Sequence, residues 1–516
     1  MKTLLRISLA GLAFASLVNS ASAQGTKADN TTALNLSGSW VGGTFPNSGT
    51  LMIVDSTLTT ARTAALGGNL SVLGITASSA NTLQVNNTGG ATLTIGTSGI
   101  NSSGAGALTF NNATSLGGNI TLANTATGIL SLSHLTLTTN QTWALGSTST
   151  NNRITLTGTL TTGGNTLNVS ANNGNFGILN FASTGITLGS EVTIGTMANV
   201  YVQGGANITF NGTNNTNSGF AMFGNNAVAN IASMGNLTGA SSIGKGNATV
   251  NGGSTLTYTG NNALSDKGFI RINAGATANS NSTIQVQTSG QTLSMSGNLT
   301  STGVSGGWIL GGAGNLTLSG VINNATSTTV TKQDAGTLTL SGAAANTYAG
   351  ATTVSAGTMI VSGGGLTATS GITVSGGALE LGASDVLNNA ATMTLSGGTF
   401  KTVGFNESLG ALTLTNALTS TLDFGSGTSV LLFDSITNNT GHLNIINWTT
   451  GSGESLRFTS NANLSASSFT VNGGAATILD NHLVTGYYEV VPEPATWALL
   501  AFSLTTVMVL RRRRKS

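Results

Sequence analysis

The sequence predicts an all-β chain whose body winds as a parallel, right-handed β-helix, between an N-terminal signal peptide and a single C-terminal transmembrane helix. Three observations carry that prediction. Short segments such as Leu338-Thr339-Leu340 and Ile372-Thr373-Val374 alternate apolar and polar residues. Related segments recur at an even spacing, as from Val354 to Val374, Val374 to Leu395 and Leu316 to Leu338. The uncharged apolar runs that would suit a leader or a membrane lie at the two ends.

Composition sets the bounds. With 39% hydrophobic residues, 6% charged and only 3 Pro, the chain has enough apolar surface to bury a core despite its 73 Gly. It has 0 Cys, so no disulfide supports the fold and a repeated core must do so. The nominal charge of +2 is misleading. Setting aside Lys2, Arg6 and Arg511 to Lys515 leaves nine basic residues, against thirteen acidic ones once Glu493 is also set aside. A body about four charges negative, with its cations scattered, does not offer the basic patch a nucleic-acid partner needs.

Residues 1–23 read as a signal peptide. Lys2 and Arg6 form the positive region, Leu9 to Val18 the apolar one, and Ala21-Ser22-Ala23 the small-residue site, with cleavage expected after Ala23. Export follows.

Residues 24–480 form the repeat body. Alternation at period two marks strands with one buried face, and Gly pairs and Ser-Gly steps mark turns. A period of about 20 residues means a solenoid, because one unit is too small to bury its apolar face alone. Right-handedness follows from the crossover rule for parallel strands. Leu338, Leu340, Val354, Ile360, Leu379 and Leu381 are expected to point inward, Thr and Ser outward, with stacked Asn forming amide ladders at the turns. At about 21 residues per coil the body would have about 22 coils and a length of about 100 Å, less whatever insertions remove. The competing architecture is an array of β-sandwiches, disfavoured because turn signals come every few residues.

Residues 481–491 read as a linker, and 492–516 as a tail. Ala495 to Leu510 is an uncharged stretch of sixteen residues. As a helix it would be about 24 Å long, near the span of a bilayer core only if its flanks sit at the interfaces. Arg511, Arg512, Arg513, Arg514 and Lys515 would hold that end in the cytoplasm.

Two resemblances follow from these motifs. Val491-Pro492-Glu493-Pro494, the apolar segment and the arginine cluster together resemble the PEP-CTERM sorting signal. That resemblance implies recognition of Pro492, Glu493 and Pro494 by an exosortase-type membrane enzyme in Gram-negative bacteria that make exopolysaccharide, with the cytoplasmic membrane a transient partner. "GTLTLSGAAANTYAGATTVSAGTMIV", Gly336 to Val361, resembles the autotransporter-associated β-strand repeat, with Asn346-Thr347-Tyr348, Gly350, Thr352-Thr353-Val354 and Gly357-Thr358 where the pattern expects them. Looser relatives run through 94–424, including the stretch around Trp143. Leu422 to Phe458 resembles a closing segment common before PEP-CTERM tails. An autotransporter would end in a translocator barrel of alternating strands, whereas this tail reads as a helical anchor, so other machinery is expected to serve any outer-membrane crossing.

Chemistry is sparse. Asp29, Asp55, Glu191, Asp266, Asp334, Glu380, Asp385, Glu407, Asp423, Asp434, Glu454 and Asp480 are spread along the body, and a reacting centre needs several groups in fixed geometry. Asp266-Lys267 with Arg271 reads as an exposed turn. His134, His442 and His482 stand apart from one another and from any His-Glu pair, and no zinc motif is present. "GGAGNLTL" places Leu316 where a calcium repeat needs Asp. "GGSTLTYTG" lacks the ending of a phosphate loop. The sequence therefore assigns no catalytic residue, cofactor or metal, and an enzyme is not expected. The leading reading is an exported structural protein of the cell surface or extracellular matrix, associated with exopolysaccharide. The alternatives are a carbohydrate-active enzyme on the same fold, with Glu380 or Asp385 as its carboxylates, and a specific adhesin using Asn211 to Asn226.

Overall fold

In a computed structural model, the structure describes residues 23–493 apart from short internal stretches at 87–88, 123–128, 146–152, 172–176, 196–197, 273–279, 303–305, 324–326, 416–417, 438–440 and 450–452. The expected leader through Ser22, including Ala21, and the expected tail from Pro494, including the segment 495–510 and Arg511 to Lys515, lie outside the described residues. Among the described residues no helix is long and apolar enough to cross a membrane. Helical structure there is confined to three 3-10 turns of three residues each.

The body is a parallel β-solenoid of about 17 turns. In its middle the chain visits three faces in rotation. Ala248–Asn251, Thr255–Tyr258 and Ala263–Ser265 are followed by Phe269–Ile272, Ser282–Val286 and Thr292–Met295, each paired in parallel with its counterpart one coil earlier. On one face, Leu316, Leu338, Met359, Leu379, Phe400, Leu422, Ile445 and Val471 lie in register on successive coils. All eight are buried, and they belong to one hydrophobic cluster that runs from Leu34 to Val490. A continuous core of this kind excludes an array of separate sandwiches, which would need one cluster per unit.

Coils are longer than the sequence repeat suggests. Eleven paired steps carry the chain from Thr184 to Thr437, which averages about 23 residues per turn. The step that pairs Thr255 with Thr283 is longer still, at 28 residues. At about 4.8 Å per coil the rod is about 80 Å long.

Inward positions follow the alternation, with one correction. Leu338, Leu340, Val354, Leu379 and Leu381 are buried, but Ile360 is not. The strand Thr358–Val361 pairs with Thr337–Leu340 so that Ile360 stands beside Thr339 on the outer surface, while Met359 and Val361 fill the core. Within "TMIV" three apolar residues in a row leave the phase undetermined, and the register decides it.

Asparagines link the coils, mostly by a different bond from the expected amide ladder. Asn298, Asn315 and Asn406 accept the backbone N–H of Val321, Thr337 and Val430 in the next coil at 2.9, 3.0 and 2.7 Å. Amide-to-amide contacts occur between Asn111 and Asn86 and between Asn230 and Asn207. Turn backbone leaves amides unpaired at each corner, and a side-chain carbonyl from the adjacent coil satisfies them.

Both ends are closed. At the N-terminus Trp40 bridges to Lys27 and donates its indole N–H to the Leu34 carbonyl at 2.9 Å. At the C-terminus the pairing becomes antiparallel. Phe469–Val471 turns through Asn472-Gly473, both at positive φ, into Gly474–Asp480. Tyr488–Pro492 then pairs with both Gly474–Asp480 and Ser455–Phe458. The expected linker 481–491 therefore ends in a strand of the cap. Antiparallel hairpins cover an edge that would otherwise present unpaired backbone.

Candidate functional site

The sharpest repeat shows why its residues stand where they do. Lys332 faces inward and is 1% exposed, its ammonium donating to the carbonyls of Gln333 and Asp334 at 2.6 Å and of Ala356 at 3.1 Å. Asn346 accepts the Ile322 N–H at 2.8 Å and donates to the Gly365 carbonyl at 3.2 Å, tying three coils together. The buried Tyr348 hydroxyl meets Thr352 at 2.7 Å, Thr352 meets Thr369 at 2.9 Å, and Thr369 donates to the Gly350 carbonyl. Burial pushes the Tyr348 phenol well above its ordinary range. These motif positions are internal braces, not a binding surface.

The outer faces carry the repetition to solvent. Thr331, Thr353, Thr373, Thr394, Thr413 and Thr437 occupy one column on the outer side of successive coils, with Thr413 itself buried against Thr437. On the neighbouring face Thr337, Thr358, Ala378, Thr399, Thr421, Asn444 and Thr470 do the same. Beside them runs a short ladder of charge, Glu380, Lys401 and Asp423, with Lys401 Nζ 3.7 Å from Glu380.

The two carboxylates considered for catalysis are thus placed differently. Glu380 is ion-paired on an outer strand, whereas Asp385 sits in the following turn at φ 53°. Among the described residues no group of three His, Asp or Glu gathers as a metal site would require. The segment Asn211 to Asn226 is no open binding loop. Asn215 and Asn217 are buried, bonded to Ile194, Ser242 and Ile243, and Phe220 and Met222 enter the core.

Two readings of charged residues need correction. Lys267 and Arg271, expected in an exposed turn with Asp266, are both 0% exposed. Lys267 donates to the carbonyls of Gly244 and Gly246, and Arg271 to that of Ser280. With Lys27 and Lys332, four of the nine body cations are buried against backbone oxygens. Composition does not reveal this, because a lysine at a turn reads as solvated. His482 does have an acidic partner: its Nδ1 lies 3.0 Å from Glu489, which also accepts from the Ser455 hydroxyl and has Arg457 Nε 3.9 Å away. The pair joins positions seven apart across the hairpin, a contact only the cap creates.

Of the expected processing residues, Ala23 precedes the first strand, Gln24–Thr26, and its carbonyl accepts the Leu51 N–H at 2.9 Å. Pro492 ends the last strand opposite Ala476, and the Glu493 N–H donates to the Ala475 carbonyl at 3.0 Å. The segment expected to be a sorting motif thus begins in the folded cap.

No curated protein and no solved structure matches the chain. Residues 330–361 match the family model described as the passenger-associated transport repeat, which supports the autotransporter-associated β-strand repeat read at 336–361. A repeat β-solenoid that carries such a segment points to an exported surface or passenger protein.

Proposed function

We propose that this chain is a structural protein of the cell surface or extracellular matrix, exported by its leader and sorted through Pro492-Glu493-Pro494 by an exosortase-type enzyme at the cytoplasmic membrane. In this reading the tail is removed, and the outer Thr and Asn columns contact exopolysaccharide through many weak polar contacts that add by multivalency. One observation supports it above the others. Hydroxyl and amide side chains repeat in register over successive coils, while four of the body's cations are buried and the exposed acids stand apart from one another. A surface built this way repeats one weak contact many times instead of assembling one reactive centre.

The experiment is mass spectrometry of the mature protein recovered from the producing organism. The reading expects an N-terminus at Gln24 and loss of Arg511 to Lys515. A mature form that retains Arg511 would make the tail a permanent anchor and defeat the sorting reading.

A further inference from the structure

Near the C-terminal cap Ser408, Leu432, Arg457 and Glu489 stand in register on four strands, the first three half-buried and Glu489 buried. Val484 and Tyr487, from the segment before the last strand, stand against this column and complete a cavity of about 280 Å³. Asn406, Ser408, Val430, Leu432 and Arg457 form the rest of its lining, with Glu407 at the edge. Glu407 turns its carboxylate to the N–H groups of Val386 and Leu387 at 2.9 and 3.0 Å, and so does not oppose an anion in the cavity.

Glu489 is already held by His482 and Ser455, and lies beyond hydrogen-bond reach of Arg457 Nε. Among the described residues the Arg457 guanidinium makes no hydrogen bond, although its Nε is buried. The Ser408 and Tyr487 hydroxyls and the Asn406 amide N–H₂ likewise find no partner among the described residues, the Asn406 carbonyl being taken by Val430. Arg457 Nε is a buried donor without an acceptor, which is costly, and the solvent-facing donors of Asn406, Ser408 and Tyr487 converge with it on one concavity, which marks a place for a ligand.

We propose that this cavity binds one carboxylate-bearing sugar unit of an acidic polysaccharide, a proposal that rests on the polysaccharide-contact reading above. Arg457 supplies a planar donor fork suited to a carboxylate. Asn406 and Ser408 reach ring hydroxyls. Tyr487, Val430, Leu432 and Val484 give the apolar wall on which a sugar's C–H face rests. The volume lies just under the ~300 Å³ at which drug-sized pockets begin, which suits one ring and not an oligomer. Because Glu489 offsets the charge of Arg457, directional bonds hold the ligand, and the affinity falls in about the millimolar range.

Titration of the purified protein with glucuronate, glucose and acetate tests this. Glucuronate should bind at least tenfold more tightly than either of the others. Arg457→Gln should weaken glucuronate tenfold or more, and Tyr487→Ala should weaken glucuronate and glucose alike, with thermal unfolding of both variants unchanged. Should Arg457→Gln fail to fold, Tyr487→Ala and the three-ligand comparison decide. Equal binding of glucose and glucuronate, or acetate binding as tightly as glucuronate, would overturn the proposal, as would an unaltered affinity in Arg457→Gln. Those outcomes leave the mature termini untouched, so failure of the cavity and failure of the sorting reading are separable.

Discussion

Gly357 is the seat of the Lys332 ammonium: a Cβ on Gly357 would lie 2.6 Å from Lys332 Nζ and 2.3 Å from the Asp334 carbonyl that the ammonium bonds. Gly357 also has φ +63°, a conformation most side chains avoid. Gly357→Ala should therefore destabilise the body by about 2–4 kcal/mol, read as a lowered urea midpoint. A midpoint equal to wild type would show that the lysine cage does not need the glycine.

Burial pushes Lys27, Lys267 and Lys332 down to about 8 from 10.5. Each folded value lies below its unfolded one, so the stability linked to these groups is full above pH 10.5 and is lost as pH falls to about 8. Unfolding free energy should rise with pH across that window. The rise is bounded at about 3 kcal/mol per lysine, less whatever the carbonyl bonds already return. Lys332→Met should flatten the rise in urea titrations at pH 8, 9 and 10. An unchanged slope would mean that the ammonium is not buried.

Glu407 works the other way. Burial, opposed by the N–H groups of Leu387, Ser408 and Val386, raises its carboxyl from 4.5 to about 7. A raised folded value gives stability that is complete below pH 4.5 and lost as pH rises through 7. Thermal unfolding at pH 5 should therefore exceed that at pH 7.5, and Glu407→Gln should remove much of the difference. The opposite ordering, persisting in Glu407→Gln, would contradict the burial argument.

The pairing of Glu380 with Lys401 gives a plainer expectation. Both side chains are about a third exposed, so Lys401→Ala should change stability by less than about 1 kcal/mol. Incubation of the wild type with exopolysaccharide from the producing organism should release no new reducing or unsaturated ends. Release that disappears in Glu380→Gln would make this an enzyme.

Some of these features are legible in the sequence and others are hidden, for physical reasons. Alternation and the even spacing of related segments reveal coils because a coil must present one face of each strand inward, and Leu338, Leu340 and Val354 follow directly. Ile360 is misplaced because adjacent apolar residues carry no phase until a neighbouring strand pairs with them. The repeat overstates the number of coils because some coils, such as the one from Thr255 to Thr283, take more residues than the repeat while their strands still pair in register. The buried lysines and the His482–Glu489 pair escape a linear reading, since backbone carbonyls leave no mark in composition and only the folding back of the cap hairpin sets the two side chains against each other. The cavity at Arg457 is hidden for the same reason: its lining comes from four separate coils or turns.

Small-angle X-ray scattering of the purified body tests the central claim, that one uninterrupted solenoid carries the repeated outer surface. A rod of about 17 turns predicts an asymmetric pair-distance distribution extending to about 80 Å or beyond. A symmetric distribution ending near ~60 Å, as for a compact globule of this length, would contradict it.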